Sequence, residues 1–262
     1  MIKGTVDGNL SVRDARVQYG AVAAVAGVSV DFAPGMITGL IGPNGAGKTT
    51  LLNAISGFTA MTSGTLALDA VDIRSSTARA RAEMGIVRGF QTVRLLERES
   101  VFDNVLVGCE RLSQPPLMAQ LLNLPSQQRS RARDIAAVTK TLAGLGLLAD
   151  ARRLASELPF ASRRLVEIAR LLLVRPKVLL LDEPAAGLDA AERRRLVDTL
   201  RSYHAENPFT LIVIEHDVDL VRKLCEDCVA LAEGRVIARG TPAEVLENPL
   251  VKVAYFGQAA HA

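Results

Sequence analysis

The apolar positions of the chain change period several times. They alternate weakly in LSVRDARVQYG and clearly at Val28, Val30 and Phe32. A period of two turns one face of a strand inward, and Pro34-Gly35 marks the turn that follows. MITGLI is a short unbroken apolar run, the pattern of a strand buried on both faces. KTTLLNAISGF then takes helical spacing and ends near Gly57. GTLALDAVDI reads as two short strands around a turn, with Ala70 where a glycine would turn more easily.

From about 92 to 157 the character differs. This stretch holds Pro115-Pro116, LMAQLLNL, Pro125 and a basic run. Ile135, Val138, Leu142 and Leu145 fall on one face at helical spacing. The pattern predicts a helical subdomain inserted into an α/β core, with Arg129, Arg131 and Arg133 on a solvated helix face. The core resumes with a helix from about Ser162 to Val174, which Pro176 ends. KVLLLDE and FTLIVIEH read as central parallel strands, and AAERRRLVDTLRSYHAE between them as an amphipathic helix. Asp217 is suited to cap a helix through VDLVRKLCED. Val229 to Ala238 reads as a hairpin around Gly234, and Thr241-Pro242-Ala243-Glu244 as a capping box with proline at the first helical position.

Composition narrows the class. With 262 residues, 49% of them hydrophobic, the chain can bury one large core or two smaller units. A formal charge of +3 gives no argument for nucleic acid. No apolar run approaches the roughly 20 residues of a membrane helix, and MIKGTVDGNL lacks the continuous apolar segment of a signal peptide. These features predict a soluble, cytosolic chain that meets a membrane only through a partner. Three cysteines are too few for a disulfide scaffold. Cys225-Glu226-Asp227-Cys228 has no second pair to complete a zinc site, and its two acidic residues oppose a reactive thiolate. Both thiols are read as small, half-buried residues at a helix end.

Gly42-Pro43-Asn44-Gly45-Ala46-Gly47-Lys48-Thr49 is a full GxxxxGK[ST] pattern between a predicted strand and a predicted helix. The glycines let successive N–H groups turn toward phosphate oxygens, and the following helix points its N-terminal dipole at the same anion. Lys48 supplies a charge for the terminal phosphates and Thr49 a hydroxyl for Mg²⁺. The expected nucleotide-binding set runs through Thr50. Asp182, ending an apolar strand, is suited to hold Mg²⁺ partly through water, and Glu183 to act as the general base on an attacking water. His216 ends another buried strand at the edge where ligands gather in α/β sheets, and is expected to contact the γ-phosphate and couple to Glu183. Gln91, between core and insert, is suited to bond a Mg²⁺-bound water and report nucleotide state. Lys48, Glu183, His216 and Gln91 form the expected catalytic set; Thr49, Asp182 and Gln91 form the metal set. His204 and His261 receive no role.

In this order, the motifs resemble those of the ATP-binding subunits of ABC transporters, over nearly the whole chain from Val12 to Gly257. GPNGAGKTTLLNAISGF, FQTVRLL, LLLDEPAAGLD, VIEHDVDLV, GRVIARGTPAEV and VAYFG look closer still to the LivG-type subunits of branched-chain amino-acid importers. The resemblance implies an α/β P-loop NTPase fold. Its RecA-like core with an N-terminal antiparallel β subdomain would cover about 12–91 and 162–257. The helical subdomain would cover about 92–161, with flexible tails at 1–11 and 258–262. It implies ATP and Mg²⁺, Tyr19 stacked on adenine, Asp189 in a loop that crosses to a second site, and two ATP molecules between two such subunits. The implied partners are a second ATPase subunit, two membrane permeases and, indirectly, a periplasmic or lipoprotein substrate-binding protein; nucleic acid is not among them. The implied place is the cytoplasmic face of the membrane. Alternatives are a lipopolysaccharide-export ATPase, an importer of urea, amides or aromatic acids, and a non-transport ABC ATPase. A P-loop GTPase lacks its NKxD pattern here.

Three positions depart from the family pattern: Ala70 in place of a glycine, Gly89 in place of a bulkier polar residue, and Leu158 to Ser162 in place of LSGGQ. In that last turn Pro159 replaces the serine and offers neither hydroxyl nor N–H. Ala161 replaces the second glycine and resists positive φ; Ser162 replaces the glutamine. Since this turn would act on a partner's ATP, the departure implies a heterodimer with unequal sites.

Overall fold

The structure is a computed structural model and describes residues 7–89, 95–110 and 125–256. The chain divides into two compact units. One gathers the described parts of Met1–Gln91, Lys177–Ala186 and Asn207–Ala262; the other those of Thr92–Pro176 and Gly187–Glu206.

The first unit contains two sheets. Strands β1 (Leu10–Tyr19), β2 (Val22–Phe32), β4 (Ser63–Leu68) and β5 (Val71–Asp72) form an antiparallel sheet in the order β2-β1-β4-β5. Its alternating pattern shows in β1, where Leu10, Val12, Ala15 and Val17 are buried. The strand begins at Leu10, with Ser11 paired to both Asp31 and Ala67, so the expected tail over 1–11 is too long. Backbone pairing and the burial of Leu10 hold residues that looked terminal in the sequence. The expected tail over 258–262 lies outside the described residues.

The second sheet has the order β10-β9-β3-β8-β7-β6. It consists of β3 (Ile37–Ile41), β6 (Ile86–Arg88), β7 (Val178–Asp182), β8 (Thr210–Ile214), β9 (Asp227–Ala232) and β10 (Arg235–Gly240). All neighbours are parallel except β9 and β10, which form the expected hairpin. Every residue of β3, β7 and β8 is buried, which is why their sequences are apolar runs rather than alternations. Leu40, Leu180, Ile212 and Ile214 share one core with Val12, Val30 and Phe32 of the antiparallel sheet, and with Leu51, Leu52 and Ile55 of helix α1 (Lys48–Ser56).

Asp69 and Ala70 form the two-residue turn from β4 to β5, at φ 49° and 66°. Positive φ at both central positions is the requirement of a type I′ hairpin, so a glycine at 70 would indeed relax this turn. The carboxylate of Asp69 accepts from the N–H groups of Gly8 and Asn9 and from Lys177 Nζ, at 2.8, 3.0 and 2.8 Å.

Further along, helix α2 spans Ala78–Glu83. The second unit is helical: α3 (Val101–Glu110), α4 (Pro125–Gly144), α5 (Phe160–Leu173) and α6 (Ala190–Glu206). Val105, Val138, Leu142, Leu165 and Ile168 are buried in it. Ile135 is not: it is 43% exposed, against the sequence expectation. No described residue of α4 before Val138 is buried, so the periodic stripe continues beyond the packed part of the helix. Residues 162–176 and helix α6 group with this unit, whereas the sequence pattern suggests they belong to the core. Their apolar faces bury against α3 and α4, as the contacts of α5 with α3 and of α6 with α4 reflect.

The chain ends with α7 (Val218–Leu224), α8 (Pro242–Glu247) and α9 (Pro249–Phe256) in the first unit. Asp217 caps α7 by accepting from the N–H groups of Asp219 and Leu220. The helix stops at Leu224, short of the expected end, because Asp227 and Cys228 already pair with β3. Thr241 and Glu244 form the capping box on α8. Burial pushes the Cys228 thiol up to about 12 and that of Cys225 higher still, so neither is a ready nucleophile.

Candidate active site

The parallel register sets the site. Leu40 and Asp182 both stand level with Ile214, so the carboxyl ends of β3, β7 and β8 reach one edge of the sheet together. There the chain leaves β3 into the loop Gly42–Gly47, leaves β7 through Asp182 and Glu183, and leaves β8 through Glu215 and His216.

The loop is tightly held. At Gly42 (φ 146°) a Cβ would stand 2.1 Å from the carbonyl oxygen of Leu231; at Gly47 (φ 96°) it would stand 2.2 Å from that of Ala24. Only glycine lets the backbone pass at these two points. Gly47 also precedes α1, whose first-turn N–H groups face the loop with the positive end of the helix dipole. Asn44, Gly45 and Thr49 are exposed, Pro43, Gly47 and Thr50 half-buried, and Ala46 buried. The buried Lys48 donates from Nζ to the carbonyls of Gly42 and Pro43, at 2.7 and 2.9 Å. Burial lowers its pKa, and the nearby Glu183 and Asp182 charges partly offset that.

Asp182 is buried at the end of β7. Its Oδ1 accepts from Thr49 Oγ1 at 3.5 Å and its Oδ2 from Arg88 Nη2 at 3.1 Å. Burial raises its pKa, with the Arg88 charge acting in the opposite direction. Arg88, the last residue of β6, is half-buried, with its side chain 7% exposed, and also donates to Asn53 of α1. Glu183 sits at φ 50°, an unfavourable backbone conformation for a side chain with a Cβ, held by its N–H bond to the carbonyl of Ile214 at 3.0 Å. Its Oε1 lies 3.0 Å from Nε2 of His216. Behind this pair, buried Glu215 accepts from the N–H groups of Ala185 and His216, at 2.9 and 3.3 Å. Burial raises Glu215 to about 7.

The structure therefore brings together the loop, Lys48, Thr49, Asp182, Glu183 and His216. Tyr19 is 53% exposed, with its hydroxyl 3.3 Å from Thr59 Oγ1. Gln91 lies outside the described residues. Arg88, Glu215 and Tyr255 escape the sequence reading. Gly42 N–H donates to the Tyr255 hydroxyl at 2.7 Å across 213 positions, and no local pattern signals such a contact.

Ala161, Ser162 and Asp189 belong to the helical unit. Pro159 (φ −56°, ψ 152°) is the N-cap of α5, so Phe160, Ala161 and Ser162 form its first turn. Ala161 is helical and has no positive φ to resist, which corrects the expectation of strain there. The first N–H groups of a helix lack intrahelical partners, so the turn presents backbone donors without a glycine. A Cβ on Gly187 would stand 3.3 Å from the Phe160 ring. Asp189 caps α6, accepting from the N–H groups of Ala191 and Glu192 at 2.7 and 2.8 Å. These bonds hold its pKa below the usual carboxylate range.

Comparison with known proteins identifies the family and the fold. A family model described as ABC transporter matches residues 25–186, and one described as Branched-chain amino acid ATP-binding cassette transporter matches 235–261. The high-affinity branched-chain amino acid transport ATP-binding protein LivG of Escherichia coli (strain K12) is 37% identical over 95% of this chain and 98% of its own length. The corresponding protein BraF of Pseudomonas aeruginosa is 35% identical over the same shares. A nucleotide-free ATP-binding cassette from an ABC transporter superposes with a TM-score of 0.81 and 29% identity, over 96% of this chain and 100% of that one. The ADP conformation of an ATP-binding cassette gives 0.81 and 29%, over 96% and 99%. The chain belongs to the ABC transporter family, as an ATP-binding cassette whose ATPase activity is coupled to transport.

Proposed function

We propose that this chain hydrolyses ATP, with Mg²⁺, to energise uptake of branched-chain amino acids through two membrane permeases, from the cytoplasmic face of the membrane. The observation that carries the hydrolytic reading is the 3.0 Å contact between Glu183 and His216 beside the phosphate loop. The cargo rests on the similarity to LivG and BraF and on the matching branched-chain model. Among the described residues no helix is long and apolar enough to cross a membrane, which fits a subunit that needs permease partners.

In this reading the loop N–H groups of Asn44, Gly45 and Gly47, with Lys48 and the start of α1, bind the triphosphate, and Tyr19 offers its exposed ring to the adenine. The oxygen donors of Thr49 and Asp182, within 3.5 Å of each other, suit a small hard cation. Such a cation would neutralise phosphate charge when bound. Glu183 takes the proton of the attacking water as its oxygen bonds to the γ-phosphorus and the bond to the β-phosphate oxygen breaks, releasing ADP and phosphate. His216 holds the Glu183 carboxylate in place and faces the γ-phosphate. Uptake of labelled leucine, isoleucine and valine by vesicles holding the assembled transporter tests the reading. Transport with wild type and none with Glu183→Gln is expected; ATP hydrolysis without uptake of any of the three would overturn the cargo.

The partner ATPase is proposed to be a different chain. The support is the Leu158–Ser162 turn, which has Pro159 in place of the serine and neither glycine of LSGGQ. The site built on Lys48 and Glu183 then depends on an intact turn in the partner, and the partner's site on this altered one. Transport is expected to suffer more from Lys48→Ala than from loss of the matching lysine in the partner. Equal losses would refute the asymmetry.

A further inference from the structure

The carboxyl-terminal helix reaches the phosphate loop. Helix α9 is anchored by Val251, which is 2% exposed, and packs on α8 and β10. From its last turn the half-buried Tyr255 directs its hydroxyl to the loop, where it accepts the Gly42 N–H at 2.7 Å. Gly42 is the loop's first residue, and its other backbone polar group is also engaged: its carbonyl accepts from Lys48 Nζ at 2.7 Å. On its third side lies the carbonyl of Leu231, with no room for a Cβ. Tyr255 falls within 235–261, the segment matched by the branched-chain family model.

A buried backbone N–H requires a partner, and a loop already in its binding conformation loses less freedom when a ligand arrives. We infer that Tyr255 is a positioning residue for nucleotide binding: its hydroxyl fixes the entry of the phosphate loop from the carboxyl-terminal helix. This rests on the nucleotide reading of the loop proposed above. Tyr255→Phe keeps the ring and its packing and removes only the hydroxyl.

Equilibrium binding of ATP with Mg²⁺ to the full chain tests it, comparing wild type, Y255F and K48A. Loss of one hydrogen bond's worth of pre-organisation should weaken ATP binding by about three- to tenfold in Y255F. In the assembled transporter the change should appear in KM rather than kcat. Amide exchange across 42–47 in the nucleotide-free chain should quicken by a similar factor, roughly three- to tenfold, while β7 keeps its protection. A purely packing role for the ring would move none of these. If K48A loses ATP but Y255F binds as wild type does with unchanged exchange, the inference about Tyr255 is overturned while the nucleotide reading stands. If K48A binds ATP as wild type does, the nucleotide reading of the loop fails and the inference fails with it.

Discussion

Two helices begin at turns that the family pattern makes glycine-rich, and they begin differently. Before α1 the chain curls through Gly42, Gly45 and Gly47, all at positive φ, and packs so closely that no side chain fits at the first and last of them. Before α5 the chain arrives extended at Pro159 and enters the helix at once, with Phe160 and Ala161 at helical φ. Both starts expose N–H groups. Only the first wraps them around a point, and only the first has a lysine folded over it. A helix end is a weak, general anion site; the glycine loop adds the curvature that collects several donors on one phosphate group.

The largest test of this contrast lies on the phosphate side. Glu183→Gln should lower ATP turnover by ~10²–10⁴-fold while ATP still binds. Retained turnover would remove Glu183 from the chemistry. Next comes the buried Arg88–Asp182 pair, at 3.1 Å. Arg88→Ala leaves a buried carboxylate uncompensated and should cost about 3–5 kcal/mol in urea unfolding. Adding Asp182→Asn should recover much of that loss, and no recovery would mean the guanidinium acts mainly through Asn53 and Ser56.

Glu215 supplies a pH test of similar size. Burial takes it from 4.5 to about 7. Between those values the folded chain keeps a proton that the unfolded chain has released. Its contribution is therefore fully present below 4.5 and is lost as pH rises through about 7. Glu215→Gln has no such proton to lose, so its stability relative to wild type should improve by up to about 3 kcal/mol between pH 4.5 and 8. A constant difference across that range would mean the two N–H bonds to Glu215 outweigh its burial.

The smallest effects separate turns by sign. At Ala70, with φ 66°, glycine should stabilise the fold by ~0.5–1 kcal/mol. At Ala161, in a helix start, the same change should destabilise by ~0.5–1 kcal/mol. Stabilisation at both would mean that Ala161 is strained after all.

What the sequence made legible follows from range. The strand runs, the Asp217 cap, the Thr241–Glu244 capping box and the phosphate loop depend on neighbours a few positions apart, and pattern alone locates them. Ala70 was readable as a turn for the same reason. Ile135 was not readable as exposed, because periodicity marks a face without saying how far along the helix that face is covered. Residues 162–176 pass for core because a buried helix looks alike in either unit. Arg88 and Tyr255 were out of reach, since their partners lie 94 and 213 positions away. At Ala161 the family motif suggests a backbone that this turn does not adopt.

The φ of 50° at Glu183 sets stability and turnover against each other at one residue. A glycine there would relieve the backbone by about 1 kcal/mol or more and remove the carboxylate that takes the proton. Selection for heat resistance alone would therefore be drawn toward losing the catalytic group, and a more robust but idle cassette lies a single substitution away. Improving the durability of this protein without silencing it means leaving that kink in place and strengthening its surroundings, beginning with turns such as Asp69-Ala70 that carry strain without any chemistry.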